Sequence, residues 1–288
     1  MKRPILFLFL VALCLLSNAQ SFSRADSLFI SNAQWHVDSM DGFVLKQIHF
    51  NKKNCLGANQ NICVIELPAT SPRRVAFTFE ERRTPTTVHA SRNGAYAAVN
   101  GSFFDMSRHN PICYLRIDGK ELGINTPQPS DSVHRKYYQY GSLVLRDGRP
   151  AYVVPDSARM AEREWGDSNI MTAGPMLIHD GRLVSMRDDK TFVTQRHNRT
   201  AIGTRADGTV LLVTLDGRSK QSEGMSLQDF QKLLLCLGCR DALNLDGGGS
   251  TTMYVKGMPH GGIVNRPSDN GRYDYGGERG VSNCVIIR

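Results

Sequence analysis

Four times along this chain an apolar run reaches Asp-Gly and an apolar run returns. The segments are 114–122 around Asp118-Gly119, 142–154 around Asp147-Gly148, 176–184 around Asp180-Gly181 and 201–215 around Asp207-Gly208. Asp-Gly accepts the positive φ angles of a tight primed turn, so each segment predicts a β-hairpin. Hairpins make antiparallel sheet. The four aspartates are thereby read as turn formers rather than as acids with a chemical role.

Helical signals are few. Ser226 with Asp229 opens a capped segment, Leu227, Phe230, Leu233, Leu234 and Leu237 keep helical spacing, and Gly238 closes it. A shorter helix is expected over Ser157–Trp165. Before the first hairpin, a polar, mixed stretch over 23–40 leads into strands expected at 42–50, 62–67 and 75–79. The expected fold class is α+β, a largely antiparallel or mixed β-sheet with a few helices on limited faces.

The first nineteen residues are set apart from the fold. Lys2 and Arg3 precede the unbroken apolar run 5–16, and Ser17-Asn18-Ala19 supplies small residues where a signal peptidase cuts. The run is too short to span a hydrocarbon layer, so the expectation is an exported chain, periplasmic or extracellular, with no membrane span in the mature part. Three parts follow: a signal peptide at 1–19, a β-rich extension at 20–89 and a main domain at 90–288. Six cysteines remain beyond the leader. An exported chain permits disulfides, Cys55 with Cys63 being the first pair to test, but buried free thiols fit equally well, and Cys236-x-x-Cys239 alone is weak support for zinc or redox work.

The net charge of +8 is not arranged for nucleic acid, because basic residues cluster only in pairs such as Arg73-Arg74 and Arg82-Arg83. Arginine outnumbers lysine 25 to 10. Its planar fork matches carboxylate and phosphate oxygens two at a time, which suits an anionic substrate.

The segment from Ala242 to Val255 is the most informative. An apolar strand breaks at Asp246 into Gly247-Gly248-Gly249 and resumes as a strand. A turn needs one or two glycines; a third implies close approach to the backbone, or N–H groups presented to an anion. Asp216 ends another strand but is followed by Gly217-Arg218 and a polar loop rather than a returning strand. Asn100, Arg199 and Thr251 also fall at strand ends, which one sheet can gather on a single rim. Two loops are too long for plain connections, 123–140 and 257–280, and the second is expected to face a substrate.

Together these elements become recognisable. The sequences from Ala98 to Phe104, Ala173 to Ile178, Arg199 to Gly203, Asp216 to Arg218, Asn244 to Thr251 and Glu278 to Asn283 resemble the phosphodiester glycosidase family, which includes the mannose 6-phosphate uncovering enzyme. The likeness spans about residues 90–288. Ser102 departs from the pattern, where a second glycine is more typical. The resemblance implies a hydrolase cleaving the glycosidic C–O bond of a sugar-1-phosphodiester, N-acetylglucosamine-like, in a cell-surface or environmental glycan. It implies Asp216 and Asp246 as the acting carboxylates, with Arg199, Arg218, Arg279 and the N–H groups of Gly247, Gly248 and Gly249 on the phosphate. Asn100, Thr200, Asn244, Thr251 and Glu278 complete the implied substrate-binding set. No cofactor is expected and no metal motif appears, although Asp216, Asp246 and Glu278 could collect a hard cation. The alternative is a polysaccharide-binding envelope protein without turnover, stacking sugars on Tyr137, Tyr273 and Tyr275.

Overall fold

The computed structural model describes residues 23–51, 57–127, 135–156, 158–186 and 191–288. The signal peptide expected at 1–19 and Cys55 lie outside the described residues. All four Asp-Gly hairpins form: β6 (Leu115–Ile117) with β7 (Lys120–Gly123), β8 (Ser142–Arg146) with β9 (Arg149–Val153), β11 (Met176–His179) with β12 (Arg182–Leu183), and β13 (Arg199–Arg205) with β14 (Val210–Leu215). In the first three, both turn residues have positive φ, for example Asp118 at 49° and Gly119 at 80°. The fourth differs. Only Gly208 is left-handed, at 82°, and the N–H groups of Gly208 and Arg205 bond to Arg205 and Thr209 carbonyls, a three-residue loop with a bulge.

The strands assemble into three sheets, and every strand pairing among the described residues is antiparallel. The largest runs β1 (His36–Ser39), β2 (Val44–Phe50), β3 (Gln60–Leu67), β14, β13, β15 (Cys239–Asn244), β11, β12. A five-stranded sheet is ordered β7-β6-β10-β8-β9, with β10 at Ile170–Thr172. A four-stranded sheet is ordered β16 (Met253–Val255), β5 (Ala97–Asn100), β17 (Gly280–Ile287), β4 (Val75–Pro85). Strands from residues 36–85 are therefore hydrogen-bonded directly to strands from beyond residue 90.

The large sheet is covered on both faces, which is why 210–215 is apolar throughout rather than alternating. On one face Cys63, Ile65, Leu212 and Ile202 join Val99, Leu115, Leu143 and Val285 from the other two sheets. On the other, Ile62, Val64, Val213 and Ala201 pack against Phe230, Leu233 and Leu234 of a helix. With α1 (Arg24–Ser31), α2 (Thr86–Arg92) and α3 (Thr191–Thr194), that helix, α4 (Leu227–Cys236), completes an α+β fold. The Ser226 hydroxyl accepts from the Asp229 N–H and Gly238 adopts φ 87°, so both ends of α4 fall where the sequence put them.

Of the helix expected over Ser157–Trp165, Ser157 lies outside the described residues and the rest holds one 3-10 turn, Ala161–Glu164. Its Glu162 is drawn inward, taking bonds from Arg135 Nη2 at 2.8 Å and Thr172 Oγ1 at 2.6 Å, so the segment serves a buried ion pair rather than an apolar stripe. Helices α1 and α2 were not anticipated. Cys63, Cys113, Cys236, Cys239 and Cys284 are free thiols, and burial pushes Cys239 up to about 12, which makes it a poor nucleophile. Among the described residues no helix is long and apolar enough to cross a membrane.

Candidate active site

Each glycine of the bend after β15 leaves room for a neighbour. A Cβ on Gly247 would stand 2.6 Å from the Asn198 carbonyl oxygen, and one on Gly248 2.6 Å from Arg218 Nη2. At Gly249 the space is taken by the Arg279 guanidinium and the Asp269 carboxylate. The three glycines thus admit two arginines against the main chain. Two of their N–H groups are committed inside the protein, Gly247 to Asp246 Oδ1 at 2.9 Å and Gly248 to the Asn198 carbonyl at 3.0 Å. The bend is a seat for guanidinium groups more than the N–H cradle the sequence suggested.

Asp246 opens this bend and is half-buried. Burial pushes its carboxyl up to about 6; the Ser250 hydroxyl, the Gly247 N–H and the nearby Arg279 and Arg218 cations oppose the rise. Arg279 is held by Asp269, with Nε 2.9 Å from Oδ1, and lies 3.5 Å from Ser250 Oγ. Arg218 is exposed, and its own φ of 62° turns the loop after β14 toward the bend.

Asp216 sits at the end of β14 with no exposed surface. Both carboxylate oxygens accept hydrogen bonds: Oδ1 from Asn265 Nδ2 at 2.8 Å, Oδ2 from Asn61 Nδ2 at 2.7 Å and from the Arg266 N–H at 2.8 Å. Burial drives this carboxyl up to about 6 as well, with those donors pulling it down. The two acids are joined by a buried polar web. Asn265 Nδ2 also reaches the Thr251 carbonyl at 3.1 Å; Thr200 Oγ1 lies 3.2 Å from Thr251 Oγ1 and 2.9 Å from Asn100 Oδ1. Asn100 Nδ2 donates to the Asp246 carbonyl at 2.6 Å. Asn100, Thr200, Thr251, Asp216 and Asp246 therefore meet, as strand ends on one rim.

Arg199, Asn244 and Glu278 stand apart from that web. Side chains alternate across a strand, and Arg199 shares the face of Ala201, opposite to that of Thr200. Its Nε donates to the Met225 carbonyl at 2.9 Å and its Nη2 to those of Phe192 and Gln195, at 3.1 and 2.8 Å. Burial lowers the guanidinium to about 9. Asn244 Nδ2 donates to the Gly174 carbonyl at 2.9 Å. Glu278 instead caps α2, accepting from the Thr87 N–H and hydroxyl, both at 2.8 Å. Asp216, Asp246 and Glu278 do not form one cluster, and among the described residues no other three metal-ligating side chains do.

The sequence reading missed Asn61, Asn265, Arg266, Ser250 and Asp269. Three of these lie on the long loop 257–280, flagged for its length but without a pattern that singles out a residue. Of the tyrosines offered for stacking sugar, Tyr275 lies between the His260 ring, 3.6 Å away, and the Arg266 guanidinium, 3.7 Å away, which covers both of its faces.

A family model described as phosphodiester glycosidase matches residues 93–288. An SPbeta prophage-derived uncharacterized protein of Bacillus subtilis, YomE, is 48% identical over 236 residues, covering 74% of this chain and 32% of its own length. The human N-acetylglucosamine-1-phosphodiester alpha-N-acetylglucosaminidase is 37% identical over 203 residues, covering 66% of this chain and 37% of its own. The chain thus spans about a third of the length of these relatives. The solved catalytic domain of the zebrafish enzyme of that name superposes with a TM-score of 0.65 at 18% identity, covering 88% of this chain and 87% of that one. The chain belongs to the phosphodiester glycosidase family.

Proposed function

We propose that this protein hydrolyses a sugar-1-phosphodiester at the bond between the anomeric carbon and the phosphate oxygen. The observation that carries the reading is Asp246, a half-buried carboxyl at about 6, flanked by two guanidinium groups seated on the glycines that follow it. Arg218 and Arg279 bind the phosphate, offering planar donors to its non-bridging oxygens. The phosphate monoester that departs has a second pKa of about 6, so it leaves without a strong general acid. One carboxylate is the minimum the chemistry then needs.

Asp246 supplies it. Water adds its oxygen to the anomeric carbon as the C–O bond to phosphate breaks; the bond's electron pair stays on the phosphate oxygen and the water's proton passes to Asp246. In this reading Asp216 is a positioning residue, since its oxygens already hold Asn61, Asn265 and Arg266. Thr200, Thr251 and Asn100 carry that alignment across to the Asp246 main chain. Arg199 acts from the opposite face, fixing α3 and the segment before β13. Asn244 and Glu278 act through the backbone they hold.

The sugar is N-acetylglucosamine-like and the substrate a cell-surface or environmental glycan, supported by the names of the relatives; the leader-like residues 1–19 support export to the periplasm or beyond. The test is incubation with an α-N-acetylglucosaminyl phosphodiester in oxygen-18 water. Free sugar carrying the label, made by wild type and not by Asp246→Asn, meets the expectation. Label on the phosphate means P–O cleavage, and binding without released sugar leaves a polysaccharide-binding protein; either result overturns the reading.

A further inference from the structure

An open cavity of about 670 Å³ lies beside the site, lined by Arg218, Asn59, Arg196, Ser219, Lys220 and Glu223. Its walls are tied together. The Ser219 and Ser222 N–H groups bond back across their turn, at 3.1 Å to the Ser222 carbonyl and 2.9 Å to Ser219 Oγ. Asn59 Nδ2 holds the Lys220 carbonyl at 2.6 Å, and the Glu223 N–H bonds to the Asn59 carbonyl at 2.8 Å. The lining carries three cations against one carboxylate. Lys220 and Arg218 are both exposed, and neither forms an ion pair among the described residues.

Arg218 belongs to both places. Its guanidinium rests on Gly248 beside Asp246, and it also lines the cavity. A phosphodiester held there has two ester arms. On the reading above, on which this step rests, one arm leads to the sugar at Asp246. The other then runs into the cavity, whose volume is ample for a small polyol or a sugar unit.

We infer that this cavity receives the alcohol half of the diester and selects an alcohol bearing a second anionic group. One cation is matched by the diester phosphate and one by Glu223, which leaves a positive charge for a further phosphate or carboxylate. Because Lys220 and Arg218 face solvent, the preference is electrostatic and salt-sensitive.

The experiment compares two diesters of N-acetylglucosamine 1-phosphate, one with glycerol and one with glycerol phosphate, in wild type and Lys220→Glu at 20 mM and 500 mM salt. The expected kcat/KM is about tenfold higher for the glycerol phosphate diester at low salt, falling toward equality at high salt and to equality or below in Lys220→Glu, where the charge is reversed, with the glycerol diester little changed. Measurable but equal rates in wild type, or a preference untouched by Lys220→Glu, overturn the inference. A calorimetric arm is independent of turnover: propane-1,3-diol bisphosphate should bind about tenfold tighter than propyl phosphate to wild type, and no tighter to Lys220→Glu. Should neither diester release sugar while the bisphosphate keeps its advantage, the glycosidase reading falls and the anion-selecting cavity stands. Equal binding of the two probes sinks the cavity whatever the activity.

Discussion

The Arg218 guanidinium lies so close to the main chain of Gly248 that a single added methyl would stand 2.6 Å from Nη2. Gly248 also has φ +61°, a conformation L-residues adopt at a cost of roughly 1–2 kcal/mol. Gly248→Ala is therefore expected to lower stability by about that amount and, separately, to displace Arg218 from the site. Denaturant titration reads the first effect and kcat/KM the second, with a fall of about tenfold or more for loss of one charge-assisted contact. Arg218→Ala in the Gly248→Ala background should then cost little further. A full additional loss would mean that the guanidinium never depended on the glycine.

Asp246 is expected to be indispensable and to set the pH dependence. Asp246→Asn should lower kcat by about 10²–10⁴-fold with an unchanged circular dichroism spectrum. In wild type, kcat/KM should rise with pH through about 6, because the working form is the carboxylate and burial holds its pKa there. Since the phosphate leaves unassisted, no loss of activity is expected between pH 7 and 8. Ser250→Ala removes a hydroxyl that favours the anion, so the rise should move to higher pH. A limb that stays in place in that variant would assign it to another group.

How much of this was legible in the sequence depends on the reach of the contact. Asp118-Gly119 and its three counterparts carry their turn chemistry locally, and Ser226, Asp229 and Gly238 mark α4 from positions three residues or fewer from the ends they cap. The triple glycine was legible as a place of close approach, but its occupants were not, because Arg218 and Arg279 arrive from 30 residues to either side. Arg199 shows the other limit. Its place at a strand end was readable, whereas the face it takes depends on pleat and register, which only the pairing with Leu215 fixes. Asn265 and Arg266 meet Asp216 across some 50 positions from a loop with no periodic signal. In α2, Pro85 and seven residues give too few turns for an apolar period to emerge.

Glu278 offers a way to separate scaffold from chemistry. Its carboxylate holds the Thr87 N–H and hydroxyl at the start of α2, so Glu278→Ala should cost about 1 kcal/mol of stability, the usual worth of an N-terminal cap. Turnover measured well below the melting temperature should be nearly unchanged. A large fall in kcat with intact stability would bring Glu278 back into the reacting site.

Asp216 makes a prediction of opposite sign to that of an ordinary paired carboxylate. Its folded pKa of about 6 exceeds the ordinary aspartate value of 3.8, so between about pH 4 and 6 the native state binds more protons than the unfolded chain. Stability contributed at this position is thus greatest near pH 4 and declines as pH rises through about 6, by up to about 3 kcal/mol for a shift of two units. Asp216→Asn cannot titrate, although its amide faces the donors of Asn61 and Arg266 and lowers stability at every pH. Urea titrations at pH 4.5 and 7 should show the gap between wild type and variant narrowing at the higher pH. A gap that widens toward pH 7 would mean that Asn61, Asn265 and the Arg266 N–H stabilise the anion beyond the cost of burying it, and Asp216 would then be a permanently charged anchor.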